Sequence, residues 1–231
     1  MRKALAAVAF LWAIGSAAQA QENPVVVELF TSQGCSSCPP ADALLRDLAT
    51  RHDIIALALH VDYWDYIGWK DEFASPAHTE RQRRYARVAN ARAIYTPQMV
   101  IGGTDHVVGT KPMEVTDAIR AHQRTPTGFS VQLRRSGETL RIEAQGRRAP
   151  TEPLVIQLVR YEPEATVDIR RGENAGRTLS YSNIVESWQV LGQWDDGSSW
   201  VAETRVLGQQ PIVVIVQEAG PGLIVAAAQL N

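Results

Sequence analysis

Between residues 25 and 124, short apolar runs alternate with amphipathic segments, and the spacing of the apolar positions separates strands from helices. Residues 25–30, Val-Val-Val-Glu-Leu-Phe, are rich in β-branched side chains, as a strand buried on both faces requires. Between 41 and 49, Ala41, Leu44, Leu45 and Leu48 fall on one helical face. A second apolar run at 54–61 completes a βαβ unit. An aromatic segment at 63–73 then leads into a polar helix over about 78–93, whose Arg81, Arg83, Arg84 and Arg87 are read as a solvated face. After Tyr95-Thr96-Pro97, a strand at 98–101 turns at Gly102-Gly103 into another at 106–108, and Pro112 suits the first turn of a closing helix. The expected order is βαβαββα.

From Phe129 onward the period becomes that of strands. Phe129, Val131 and Leu133 alternate with polar residues, as do Leu140, Ile142 and Ala144. Further strand-like runs lie at 154–161, 184–191, 200–206, 212–217 and 223–228, and Asp196-Gly197 between two Trp-bearing runs predicts a hairpin. These observations predict an α/β domain at 21–125 and an all-β, sandwich-like domain at 126–231, with the alternative that the later strands extend the first domain's sheet. The second half is read as a scaffold or a partner-recognition surface. The Gly-rich, charged stretch at 170–177 lacks the strand-loop-helix context of a phosphate-binding turn and is read as a surface loop.

Met1-Arg2-Lys3, an apolar run at 4–18 and Ala18-Gln19-Ala20 have the layout of a secretory leader at residues 1–20, with cleavage expected after Ala20. The apolar run is short for a permanent anchor, which is the alternative reading, and no cysteine near the cut could take a lipid. The expected location is periplasmic or secreted. Losing Arg2 and Lys3 from 23 basic residues leaves 21 against 25 acidic, a balance that does not suit a nucleic-acid partner. A composition 45% hydrophobic and 21% charged is that of a globular protein with core enough for one large domain or two small ones.

The two cysteines of the chain both lie in Cys35-Ser36-Ser37-Cys38, between the first strand and the first helix. An oxidising compartment favours their disulfide. A zinc site would call for a second close pair of Cys or His ligands, and the sequence has neither a second CxxC nor an HxxxH. Two cysteines three apart at a helix start close a small ring, and the positive end of the helix favours thiolate over thiol. Cys35 is therefore the expected exposed attacker and Cys38, one turn deeper, the resolving thiol. Pro39 and Pro40 carry no N–H, which would start the helix later and help Cys35 less. The other reading is a purely structural disulfide, although so short a loop stabilises little through chain entropy. The reactive reading requires the Cys35 sulfur to be accessible and turned toward Pro97.

With this CxxC turn after the first strand and Thr96-Pro97 opening the third, the sequence resembles the thioredoxin-like superfamily. Residues 28–40 (Glu-Leu-Phe-Thr-Ser-Gln-Gly-Cys-Ser-Ser-Cys-Pro-Pro), 60–64, 95–100 and 171–177 are similar to an uncharacterised family of bacterial exported proteins, domain-of-unknown-function family 1223. The wider resemblance implies a thioredoxin-like domain ahead of the β region, thiol–disulfide chemistry, and a cis Thr96-Pro97 peptide against the CxxC. It also implies that Thr96 backbone groups pair with an extended substrate. The closer family implies no reaction. Glu28 would be a buried proton acceptor for Cys38. It precedes Cys35 by seven residues, one more than the superfamily's acid, and one residue turns a strand side chain to the other face, so a structural role stays open. His60 with both cysteines would resemble copper-delivery proteins on this fold, but those carry CxxxC. The aromatics of 63–73 either rim a substrate site or pack that segment on the body.

Two functions of different class follow. One is an exported thiol–disulfide oxidoreductase using Cys35, Cys38, Pro97, Thr96 and Glu28 on exported protein or small thiols and disulfides, with an unidentified redox partner and no cofactor or resident metal. The other is a non-catalytic binding protein on the same frame with a structural disulfide. The sequence has no GxSxG and no Walker motif to suggest another chemistry. Ser36-Ser37 does not indicate the direction of exchange.

Overall fold

The computed structural model describes residues 23–195 and 199–231, so the 1–20 leader and the Asp196-Gly197 turn lie outside the described residues. Strand β1 (Val25–Thr31) is buried along its whole length, with β2 (Ile54–His60) parallel on one side and β3 (Gln98–Ile101) antiparallel on the other. Helix α1 (Pro39–Ala49) makes the crossover and buries Ala41, Leu45 and Leu48. Helix α2 (Pro76–Val88) starts where Ser75 accepts a hydrogen bond from the Ala77 amide. Strand β4 (Asp105–Val108) then pairs with β3, and α3 (Pro112–Gln123) packs through Val115 and Ile119.

In the second half, β5 (Phe129–Ser136), β6 (Thr139–Gly146) and β9 (Ser199–Arg205) form a three-stranded antiparallel sheet. Strands β7 (Leu154–Asp168) and β8 (Thr178–Trp194) form a long antiparallel ribbon, joined by β10 (Ile212–Glu218) and β11 (Ile224–Leu230). Because β8 meets β2 in parallel at Ala58 and Ile184, one mixed eight-stranded sheet runs β11-β10-β7-β8-β2-β1-β3-β4. The chain is thus mixed α/β, with a large mixed sheet and a small antiparallel one.

The later strands therefore divide, which corrects the picture of a sandwich built from that half alone. Four extend the first sheet and three cover one of its faces. The reason is legible in burial: β10 opens with an unbroken apolar run at 212–216 buried on both faces, whereas β5 alternates. Likewise β8 and β9 lie in different sheets, so the two Trp-bearing runs do not ladder with each other. Val131, Leu140 and Ile142 of the small sheet pack on Ile156, Val214 and Val225 of the large one. On the first half, the same role is taken by α1 and α3 against Val25, Val27, Leu29 and Ala56. The opposite face, with Val26, Phe30, Leu57, Val159 and Val213, is one core shared by both halves and includes Tyr85 of α2. No helix among the described residues is long and apolar enough to cross a membrane.

Candidate functional site

The CxxC segment is a tight turn that flows into α1. The Cys35 amide donates to the Ser32 carbonyl at 3.1 Å and the Cys38 amide to the Cys35 carbonyl at 3.2 Å. Cys38 is the residue before the helix, and its carbonyl accepts from the Ala41 and Asp42 amides at 2.8 and 3.1 Å. The two sulfurs form a disulfide. Pro39 and Pro40 occupy the first helical positions and bring no N–H, and the Cys38 N–H is already taken, so the helix start offers few free donors to a sulfur.

Burial corrects the expectation of an exposed attacker. Cys35 is 2% exposed and Cys38 0%, while Ser36 and Ser37 between them face solvent. Access to either sulfur requires the surrounding segments to move.

Three segments hold the turn. Gly34 lies so close to residues 64–67 that a Cβ there would meet Ile67 Cδ1 and Trp64 Cβ at 3.2 Å. Trp64 also donates to Thr96 Oγ1 at 2.7 Å, and Trp69 donates to Gln33 Oε1 at 2.7 Å, so both indoles pack the aromatic segment onto the body. Tyr66, in contrast, is exposed. On another side, Thr96–Pro97 is cis, and Gly109 fits between Pro97 and α1: a Cβ there would sit 2.9 Å from Ala41 Cβ and 3.2 Å from Pro97 Cβ. The third segment is the 170–177 stretch read as a plain surface loop. Its Asn174 is buried and donates from Nδ2 to the Gln33 carbonyl at 2.9 Å and the Cys35 carbonyl at 3.0 Å. That bond spans 139 residues, and local pattern carries no sign of it.

Next to this turn lies a buried polar cluster. Asp42, one turn after Cys38 on α1, is buried and accepts from Thr31 Oγ1 at 2.8 Å. Burial pushes its carboxyl up to about 7, against the opposing pull of His60 and the Thr31 hydrogen bond. His60 Nδ1 lies 2.7 Å from Asp71 Oδ2, which also accepts from the Gln33 amide at 2.8 Å. The His60 ring packs edge-on against Phe73 and Tyr181, at 5.3 and 4.9 Å between centroids. His60 Nε2, Gln33 Nε2 and the Tyr181 hydroxyl are buried with no hydrogen-bond partner among the described residues. A surface cavity of about 260 Å³, lined by Asp42, Arg46, Arg177 and the start of β8, connects Asp42 to solvent. Among the described residues, no group of three or more His, Cys, Asp and Glu side chains is placed to hold a metal.

Glu28 is not part of this cluster. In β1 it shares a face with Val26 and Phe30, opposite the Val27 and Leu29 face that α1 covers. There Arg81 grips it through two hydrogen bonds, Nε to Oε2 at 2.5 Å and Nη2 to Oε1 at 2.8 Å, and Tyr85 donates to Oε1. Arg81 is itself buried and lies 3.8 Å over the Trp188 ring. Two expectations change together. Glu28 is an ion-pair partner rather than a base for Cys38, and Arg81 does not belong to the solvated face that Arg83, Arg84 and Arg87 form. The one-residue offset of Glu28 was the signal for the first; for Arg81, the buried Gln82, Tyr85 and Ala86 around it set the inner face of α2.

A family model described as a protein of unknown function (DUF1223) matches residues 26–217. Protein AGR_C_4864 from Agrobacterium tumefaciens, known from its crystal structure, is 34% identical, with a TM-score of 0.80 over 91% of this chain and 96% of that one. HBP35 of Porphyromonas gingivalis shares the fold at 13% identity, with a TM-score of 0.63 over 90% of this chain and 75% of that one. No curated protein matches.

Proposed function

The chain belongs to the DUF1223 family of proteins of unknown function, and from that premise we propose that it is an exported thiol–disulfide oxidoreductase on a thioredoxin-like frame, whose Cys35–Cys38 pair reacts only once uncovered. The observation that carries this reading is the buried carboxyl of Asp42 one helical turn behind Cys38. An inert staple needs no acid behind it, and burying one disfavours its charge. A departing Cys38 sulfur needs a proton, and an acid that titrates near neutrality can give one and take it back.

The exchange balances in two displacements. A substrate thiolate attacks the Cys35 sulfur, the Cys35–Cys38 bond breaks, and its electron pair leaves on Cys38, which takes a proton from Asp42. A second substrate thiolate then attacks the substrate sulfur of the mixed disulfide and releases Cys35 as thiolate. Two substrate thiols have become a disulfide, and the protein disulfide a dithiol. Run backwards, the same steps reduce a substrate disulfide.

The second reading is a structural disulfide in a binding protein, and the 2% exposure of Cys35 favours it. The test equilibrates the protein with glutathione buffers and reads the dithiol fraction by alkylation, with Cys35→Ser as control and Cys38→Ala to trap mixed disulfides. The oxidoreductase reading expects a potential between about −120 and −270 mV, the range of catalytic dithiols, and a trapped glutathione adduct on Cys35. A bond that stays oxidised until the protein unfolds selects the structural reading instead.

A further inference from the structure

The stretch beyond the outer ends of β7 and β8 is mostly solvated: Arg170, Arg171, Glu173, Ala175, Gly176 and Arg177 are exposed. Asn174 is the exception, 1% exposed, with both its hydrogen bonds to main chain placed on the CxxC turn. Its orientation is set from the other side, since Arg177 Nη1 donates to Asn174 Oδ1 at 2.9 Å. The loop closes on itself, with Gly176 N to Ile169 O at 2.8 Å and Ile169 N to Arg177 O at 2.9 Å. Gly172 rests against Trp69, where a Cβ would lie 3.2 Å from Trp69 Cβ. A self-bonded tip with few outside anchors can lift as a unit at far lower cost than global unfolding.

We infer that the 170–177 loop is a latch on the disulfide, and that withdrawal of the Asn174 amide from the Gln33 and Cys35 carbonyls is the step that makes the Cys35 sulfur reachable. The inference rests on the proposed exchange chemistry for its purpose, but not for its geometry. While Asn174 holds the Cys35 carbonyl, Cys35 is pinned between the Gly34 packing on Trp64 and the start of α1. With the latch lifted, the Gln33 carbonyl is freed and the Cys35 carbonyl, which keeps the Cys38 amide, regains its second acceptor position, and the backbone N–H groups of an extended polypeptide supply the donors that Asn174 withdraws. The partner so recognised is an extended segment of another protein beside its own cysteine.

The experiment measures how fast dithiothreitol reduces the disulfide of the folded protein, by quenching with a maleimide that shifts the mass of the free thiols. Asn174→Ala is expected to raise the rate about tenfold or more, the factor that losing two neutral hydrogen bonds implies, while rates in urea stay equal. Arg177→Ala, a change at an exposed side chain, is expected to raise it by a smaller factor and decides the matter if Asn174→Ala folds poorly. Rates equal to the parent protein in the folded variants would falsify the latch. The Cys38→Ala trap, repeated in the Asn174→Ala background, separates the two ideas. Faster reduction with a trapped adduct supports both, and faster reduction with no adduct keeps the latch and removes the oxidoreductase reading.

Discussion

Asp42 shows how one buried side chain couples the stability of the fold to pH. Its carboxyl ordinarily titrates near 3.8, and burial moves it to about 7 in the fold, so between these values the folded chain holds a proton that the unfolded chain has lost. The stabilisation this gives is complete below about pH 4 and disappears as pH rises through 7. Asp42→Asn keeps the shape and cannot ionise. Relative to the parent, it is expected to gain on the order of 2 kcal/mol between pH 5 and pH 8, read from urea unfolding at the two pH values. A difference that does not change with pH would mean that Asp42 is already ionised inside the fold. The residue lay within reach of sequence reasoning, because it sits between the apolar positions Ala41 and Leu45 on the inner face of a helix that the period identified. Its partner Thr31, at the end of a neighbouring strand, carried no comparable signal.

At the scale of an element, α2 illustrates why an arginine-rich helix need not be a solvated one. Three of its four noted arginines face water, and the fourth crosses the shared core to Glu28 with Tyr85, Gln157 and Gln217 around it. A buried ion pair is a weak source of stability against apolar replacements, yet breaking it from one side leaves an unpaired charge in the interior. Arg81→Ala is therefore expected to lose about 3–5 kcal/mol, seen as a fall in Tm of roughly 10 °C. The double change Arg81→Met with Glu28→Gln removes both charges and is expected to recover most of that loss. If Arg81→Ala melts like the parent, the pair is not formed in solution. The same helix carries Gln82, which donates to the Tyr95 carbonyl just before Thr96, so α2 also braces the segment that presents Pro97.

Across the whole molecule, the eight-stranded sheet makes the two halves depend on each other. The Val26, Ile55, Leu57 and Leu59 side chains of the first half and the Val159, Tyr161, Val213 and Ile215 side chains of the second form one cluster. A fragment ending at residue 125 keeps the α1 and α3 side of its sheet covered, but it exposes that cluster and the outer edge of β2. It is expected to lack a cooperative thermal transition, and the full chain is expected to melt as one unit. A sharp, reversible melt of the fragment would show that the first half folds alone.

The periodicity of apolar residues was enough to determine the element order of the first half, the strand runs of the second and the position of the CxxC before a helix, because period reports which face of a local segment leaves water. It does not report which other segment does the covering. Whether β10 joins the first sheet, whether Arg81 turns inward, and whether the Cys35 sulfur is open or closed depend on partners far along the chain. Asn174 meets the Cys35 carbonyl only because β8 docks beside β2, a decision made by the packing of whole sheets. Tertiary structure alone could place that amide against the Gln33 and Cys35 carbonyls, since the hydrogen bonds join two loops about 140 residues apart in the chain, beyond the reach of any local pattern.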